Sequence, residues 1–166
     1  MLDRRVRRKP EPDSVGQTPD RAIPSVPRGQ PLNPATSRPQ TVLLVDDDAA
    51  VRQLFAQALR LAGFEVAQAS SGGEALDLLR SNASIGVILL DLKMPDMDGW
   101  HFRLAQRADP RLAAIPTVIT TGAPLSEVLD CDLKAADYLL KPVGLEHLIS
   151  VVAHYVRPVR EASVVW

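Results

Sequence analysis

With one cysteine in 166 residues, Cys131, the chain cannot close an internal disulfide, and nothing in it calls for an oxidising compartment. Cys131 also has no CxxC partner or nearby base, which argues against a redox role. The uninterrupted apolar runs are far shorter than the roughly 20 residues a membrane span needs, and no apolar h-region follows the N-terminal arginines. The expectation is a soluble, unsecreted, cytoplasmic protein with no membrane partner. Histidine is scarce as well: His101, His147 and His154 have no metal-ligand spacing, so neither a histidine metal site nor a histidine relay is read from them. No internal repeat is present.

What the chain does have is divided unevenly. Residues 1–40 hold eight of the fourteen prolines, eight basic and four acidic side chains, and neither a 3.6 nor a 2.0 hydrophobic period. Such a segment buries too little apolar area to offset its ordering entropy, so it reads as a disordered tail. An arginine arm for nucleic acid or acidic surfaces, built on Arg4, Arg5, Arg7, Arg8 and Lys9, and a misassigned start are the alternatives. Residues 41–166 keep eleven basic and sixteen acidic groups, a net charge of −5. At 46% hydrophobic content the chain supports one core and one domain, expected over residues 41–157, with 158–166 as a short C-terminal tail.

From Thr41 onward, strand-like and helix-like stretches alternate with short connections, the pattern of a doubly wound parallel α/β sheet with helices on both faces. Val51, Leu54, Phe55, Ala58 and Leu61 predict the inner face of a first helix that stops at Gly63. Ser71-Gly72-Gly73 opens a second helix with Ala75, Leu78 and Leu79 facing inward. A third helix, to Ala108, has a weaker stripe because Arg103 and Gln106 interrupt it. Asp96 and Asp98 are read as turn formers before it, and Trp100 as packing beside the loop after Asp91. A short helix is expected near Ser126–Ala135, and Leu145, Leu148, Ile149 and Val152 mark the last one.

The chemistry collects where the strands end. Val42-Leu43-Leu44-Val45 closes on Asp46-Asp47, Val87-Ile88-Leu89-Leu90 on Asp91, Val118-Ile119-Thr120 on Thr121, and Tyr138-Leu139-Leu140 on Lys141. In a doubly wound sheet the carboxyl ends of the strands form the ligand crevice. Taken singly, each residue has an ordinary structural explanation. Three anions at one edge would nonetheless repel each other and raise their pKa values, and a bound cation resolves that conflict. All-oxygen ligands suit Mg2+.

Four pieces, in order and on the expected elements, resemble the receiver domain of two-component response regulators: Leu43 to Asp48, Leu90 to Gly99, Ile115 to Gly122, and Ala136 to Pro142. The resemblance covers about Thr41 to Arg157. It implies a flavodoxin-like fold with strand order 2-1-3-4-5 and a phosphorelay function. Asp91 would be the phosphoacceptor, supplied by a histidine kinase or a histidine phosphotransfer protein. Asp46, Asp47, Asp91 and the main-chain carbonyl of Lys93 would hold Mg2+. Lys141 would contact a phosphoryl oxygen. Thr121 and Tyr138 would form the switch that alters partner binding through the helix before the fifth strand, that strand and the last helix. Such a domain accepts phosphate stoichiometrically and is not a turnover enzyme.

Departures from the family pattern accompany the match. Lys134 stands where glycine is common, the segment from Thr121 to Lys141 is a little short, and Lys93 and Ala123 flank the approach of a hydrolytic water. The chain ends nine residues after Arg157, with no recognition-helix pattern, so a receiver with no attached DNA-binding or other output domain is expected, acting on an unidentified partner. Two rivals stand beside this reading. One is a receiver-like module that binds its partner without phosphorylation, against which the complete Asp46, Asp47, Asp91, Thr121 and Lys141 set argues. The other is a phosphatase or phosphotransferase using Asp91, which would be expected to carry an acid where Lys93 stands.

Overall fold

A computed structural model describes residues 40–124, 126, 128 and 133–159. The expected N-terminal tail, Cys131, the centre of the helix expected near Ser126–Ala135, and most of the C-terminal tail lie outside them. Five strands, β1 (Thr41–Val45), β2 (Glu65–Ala69), β3 (Ile85–Asp91), β4 (Thr117–Thr121) and β5 (Asp137–Leu140), pair in parallel in the order β2-β1-β3-β4-β5. Helices α1 (Ala49–Leu61), α2 (Gly72–Ser81), α3 (Gly99–Ala108) and α4 (Leu145–Tyr155) pack against both faces. The expected doubly wound sheet is present.

Alternation along the strands divides the core in two. Val42, Leu44, Val87, Leu89, Val118 and Leu139 face α1 and α4, where they meet Phe55, Leu59, Leu148 and Val152. Leu43, Val45, Ile88 and Leu90 face the other way, toward Ala75, Leu76 and Leu79 of α2 and Phe102 of α3. A smaller cluster, Leu92, Ile119, Val128 and Leu133, with Trp100, Ala135 and Tyr138 against it, lies under the loop that follows Asp91. Trp100 thus sits where its sequence neighbours suggested.

The helix ends follow from local chemistry. Asp48 caps α1 by accepting from the N–H groups of Ala50 and Val51, at 2.8 and 3.1 Å. At the other end Gly63, at φ +89°, donates to the Arg60 carbonyl while Phe64 donates to that of Leu59, a Schellman ending that glycine adopts without a Cβ penalty. Asp98 caps α3 through the His101 N–H, and its carboxylate also meets His101 Nδ1 at 2.8 Å, which accounts for both residues locally. Asp96 turns the preceding chain at φ 64°. The Lys141–Pro142 peptide is cis.

One expectation needs correction. The inner face of α1 is Phe55, Ala56 and Leu59, not the stripe through Leu54 and Leu61, which are 51% and 82% exposed. Two apolar stripes overlap on this helix. The cap at Asp48 and the closing turn at Gly63 set its rotation so that the stripe through Phe55 and Leu59 meets the sheet. Leu59→Ala should therefore cost about 2–5 kcal/mol in denaturant unfolding, and Leu61→Ala less than about 0.5 kcal/mol. Equal losses would contradict this orientation.

Candidate functional site

The site is an extension of the strand pattern. Val42 and Leu44 in β1, Val87 and Leu89 in β3, and Leu139 in β5 face α1 and α4; continuing each alternation by two carries Asp46, Asp91 and Lys141 to that same side of the carboxyl edge. There the Lys141 ammonium donates to Asp91 Oδ2 at 2.8 Å and to Asp46 Oδ2 at 3.3 Å. Asp46 and Asp91 are buried, whereas Asp47 is exposed. One carboxylate oxygen from each of these three lies within 4.8 Å of the others.

Burial pushes the Asp46 carboxyl above the ordinary carboxylate range. The nearby Lys141 charge and the Asp48 N–H, which donates to Asp46 Oδ1 at 2.9 Å, pull against that rise without cancelling it, and the Asp91 carboxylate adds to it. Burial also works against the charged form of Lys141. The Asp91 hydrogen bond and the charges of Asp91 and Asp46 outweigh it, so the ammonium is held above its usual pKa. One ammonium thus serves two buried carboxylates, with the exposed Asp47 beside them.

Thr121 reaches the same edge on the opposite side of the sheet, since it continues the alternation of Ile119. It is buried, and its Oγ1 accepts from the Ala123 N–H at 3.0 Å. Tyr138 pairs in register with Ile119, which places it on the Thr121 side of the sheet and two residues below Thr121, packed on the cluster beneath the Asp91 loop. Lys93 meets the site through its main chain: its N–H donates to Asp91 Oδ1 at 3.3 Å. All seven sequence-predicted residues therefore lie at or just below one edge. Asp46, Asp47, Asp91 and Lys141 are brought into a single cluster, and Thr121 and Tyr138 flank it.

Glycine closes the back of the site. A Cβ on Gly99 would come within 2.5 Å of the Asp91 carbonyl oxygen and 2.7 Å of Leu92 Cα, so only glycine lets α3 start against the end of β3. The Gly99 N–H donates to the Leu92 carbonyl at 3.0 Å.

Arg52 was not singled out from the sequence. Its Nη1 donates to the main-chain carbonyl of Asp46 at 2.7 Å and more loosely to that of Asp47 at 3.4 Å, fixing the β1–α1 turn that presents both acids. The available signal was its place in the first turn of α1, one helical turn past the Asp48 cap.

Among the described residues, no helix is long and apolar enough to cross a membrane. The response regulator receiver domain family matches residues 42–153. Response regulator MprA of a Mycobacterium species is 36% identical over 112 residues, covering 68% of this chain and 48% of that protein. Transcriptional regulatory protein CpxR of Escherichia coli is 36% identical over 116 residues, covering 70% of this chain and 49% of its own length. The chain spans about half the length of these curated relatives. Chemotaxis response regulator CheY4 of Vibrio cholerae superposes with a TM-score of 0.64 at 31% identity, covering 69% of this chain and 97% of that structure. A response regulator receiver protein of Pseudomonas putida gives 0.65 at 30% identity, with coverages of 70% and 97%. Together with the strand order and the acidic edge, these matches show that the chain belongs to the response regulator receiver domain family.

Proposed function

We propose that Asp91 is a phosphoacceptor, supplied by a phosphohistidine on a histidine kinase or histidine phosphotransfer protein. The observation that carries this reading is the cluster of three carboxylates with one ammonium bridging Asp46 and Asp91. A carboxylate oxygen of Asp91 attacks phosphorus and forms the O–P bond of an aspartyl phosphate. The N–P bond of the phosphohistidine breaks, and its electron pair returns to the imidazole nitrogen, which takes up a proton.

The donor set fits a hard divalent cation: oxygens only, three acids against one lysine, with the Asp46 carboxyl pushed up chiefly by its burial. Asp46, Asp47, Asp91 and the Lys93 main-chain carbonyl would hold Mg2+, which when bound supplies positive charge between the anionic nucleophile and the anionic phosphoryl group. Lys141 transfers its ammonium from Asp91 to a phosphoryl oxygen, a task suited to a compact point charge. Arg52 keeps the Asp46–Asp47 turn in place meanwhile.

The Thr121 hydroxyl donates to the new phosphate, and Tyr138 rotates into the space it leaves. Charge-assisted hydrogen bonds of about 1.5–3 kcal/mol each are enough to tip two packings separated by a few kcal/mol. The partner reads the change on the segment before β5, on β5 and on α4. The domain takes up one phosphoryl group per chain and does not turn over, and we place it in the cytoplasm with the kinases that would supply it.

Intact mass after incubation with acetyl phosphate and Mg2+ should show one added phosphoryl group, absent in Asp91→Asn and absent when the metal is chelated. Equal uptake by Asp91→Asn would rule out this acceptor, and no uptake from acetyl phosphate or a kinase would favour a module that binds without phosphorylation.

Ala123, beside Thr121, offers no acid or amide to orient a hydrolytic water. Ala123→Glu should therefore shorten the aspartyl phosphate lifetime by up to about 10²-fold, the low end of what a positioned base contributes, as followed by loss of the added mass. An unchanged decay rate would remove Ala123 from the account.

A further inference from the structure

The two residues that spoil the apolar stripe of α3 are not at its surface. Arg103 is 5% exposed and Gln106 fully buried, between α3 and the chain that enters β4 and β5. Gln106 uses every hydrogen-bonding position it has. Its amide nitrogen donates to the carbonyls of Leu112 and Ile115, both at 3.0 Å, and its amide oxygen accepts from Arg103 Nη1 at 2.7 Å and from the Thr117 hydroxyl at 2.9 Å. Arg103 then reaches across about 30 residues of sequence. Nε donates to the Leu133 carbonyl at 3.0 Å, and Nη2 donates to that of Lys134 at 2.7 Å.

We propose that Arg103, held by Gln106 and Thr117, is a positioning residue that latches the chain entering β5 to α3 and so sets where the proposed readout face stands relative to Asp91.

Lys134 sits at φ 48°, in the left-handed region where a side chain is disfavoured. Such a backbone persists only where its surroundings over-determine it. The guanidinium fork supplies that determination by fixing two successive carbonyls. Just beyond, the Ala136 N–H donates to the Thr117 carbonyl at 2.8 Å, and the Tyr155 hydroxyl of α4 donates to the Ala136 carbonyl at 3.0 Å. The entry to β5 is therefore pinned from both sides of the sheet.

The other end of the latch lies at the site. Gly99, four residues before Arg103 on α3, is packed on the Asp91 carbonyl and bonded to Leu92. The Leu133 side chain shares the cluster of Leu92, Ile119 and Tyr138. One helix thus touches the acceptor loop at its start and the β5 approach one turn later. Burial lowers the pKa of Arg103, and the Arg107 charge adds to this.

This inference rests on reading β5 as the partner face, and the experiment separates the two. Hydrogen exchange of the full chain and of Arg103→Met is followed by mass spectrometry, with phosphoryl uptake from acetyl phosphate measured on the same samples. The latch predicts that amides at 133–138 exchange about tenfold faster in the variant, as expected for losing one or two hydrogen bonds. Amides of α1 and β1 stay as in the native chain, phosphoryl uptake is retained, and Lys134→Gly added to Arg103→Met restores part of the lost protection because glycine holds that backbone unaided. Unchanged exchange at 133–138, or acceleration spread equally over α1 and β1, overturns it. Should Arg103→Met fail to fold, Arg103→Lys decides: one ammonium cannot hold both carbonyls in the fork geometry, so local acceleration supports the latch and native protection overturns it. Failure of the native chain to take up phosphate would sink the phosphoacceptor reading alone, since the exchange comparison still judges the latch.

Discussion

A parallel sheet delivers all its carboxyl ends to one edge, and here that edge receives three carboxylates, of which Asp46 and Asp91 are buried. Burial, with the Asp91 charge beside it, pushes the Asp46 carboxyl up. Lys141 answers part of this from β5, which explains why a residue 50 positions from Asp91 and 95 from Asp46 lies within hydrogen-bond distance of both. Arg52 acts differently, fixing the turn through its carbonyls rather than through the carboxylates.

The same edge also divides the clustered residues from the two that flank them. Asp46, Asp91 and Lys141 continue the alternation that faces α1 and α4, while Thr121 and Tyr138 belong to the opposite side, above the Leu92, Ile119, Val128 and Leu133 cluster. Under the proposed function, a group bound among the acids would meet the lysine on one side of the sheet, and a hydroxyl moving toward it would leave contacts on the other, which is how a local charge change would alter packing on a different surface.

Much of this was legible because it depends on short-range rules. Apolar runs closing on Asp46-Asp47, Asp91, Thr121 and Lys141 located β1, β3, β4 and β5 and their shared edge, and the cap residues Asp48, Ser71 and Asp98 stand where the helices begin. The inner face of α1 was misread because Leu54 and Leu61 are as apolar as Phe55 and Leu59. Periodicity cannot choose between two stripes when the choice is made by the rotation that the flanking turns impose. Arg52 was missed for a related reason: a guanidinium aimed at main-chain carbonyls leaves no pairing signature in sequence. The interruption of α3 by Arg103 and Gln106 was visible, but its meaning was not, because both acceptors of the Arg103 fork, at Leu133 and Lys134, lie about 30 residues away.

That interruption bears on why a small domain would place a guanidinium in its interior at all. An apolar pair of similar volume would be no less stabilising, since desolvating a cation consumes most of what its hydrogen bonds return. Apolar packing, however, tolerates sliding by fractions of an ångström, whereas a fork bound to two successive carbonyls accepts one backbone geometry. At Lys134 that geometry is one an L-residue avoids when left to itself. The chain entering β5 is thus held in a single unfavourable conformation by a device chosen for direction rather than for strength. Under the proposed readout on β5, a surface held that way would give the signal a single starting shape.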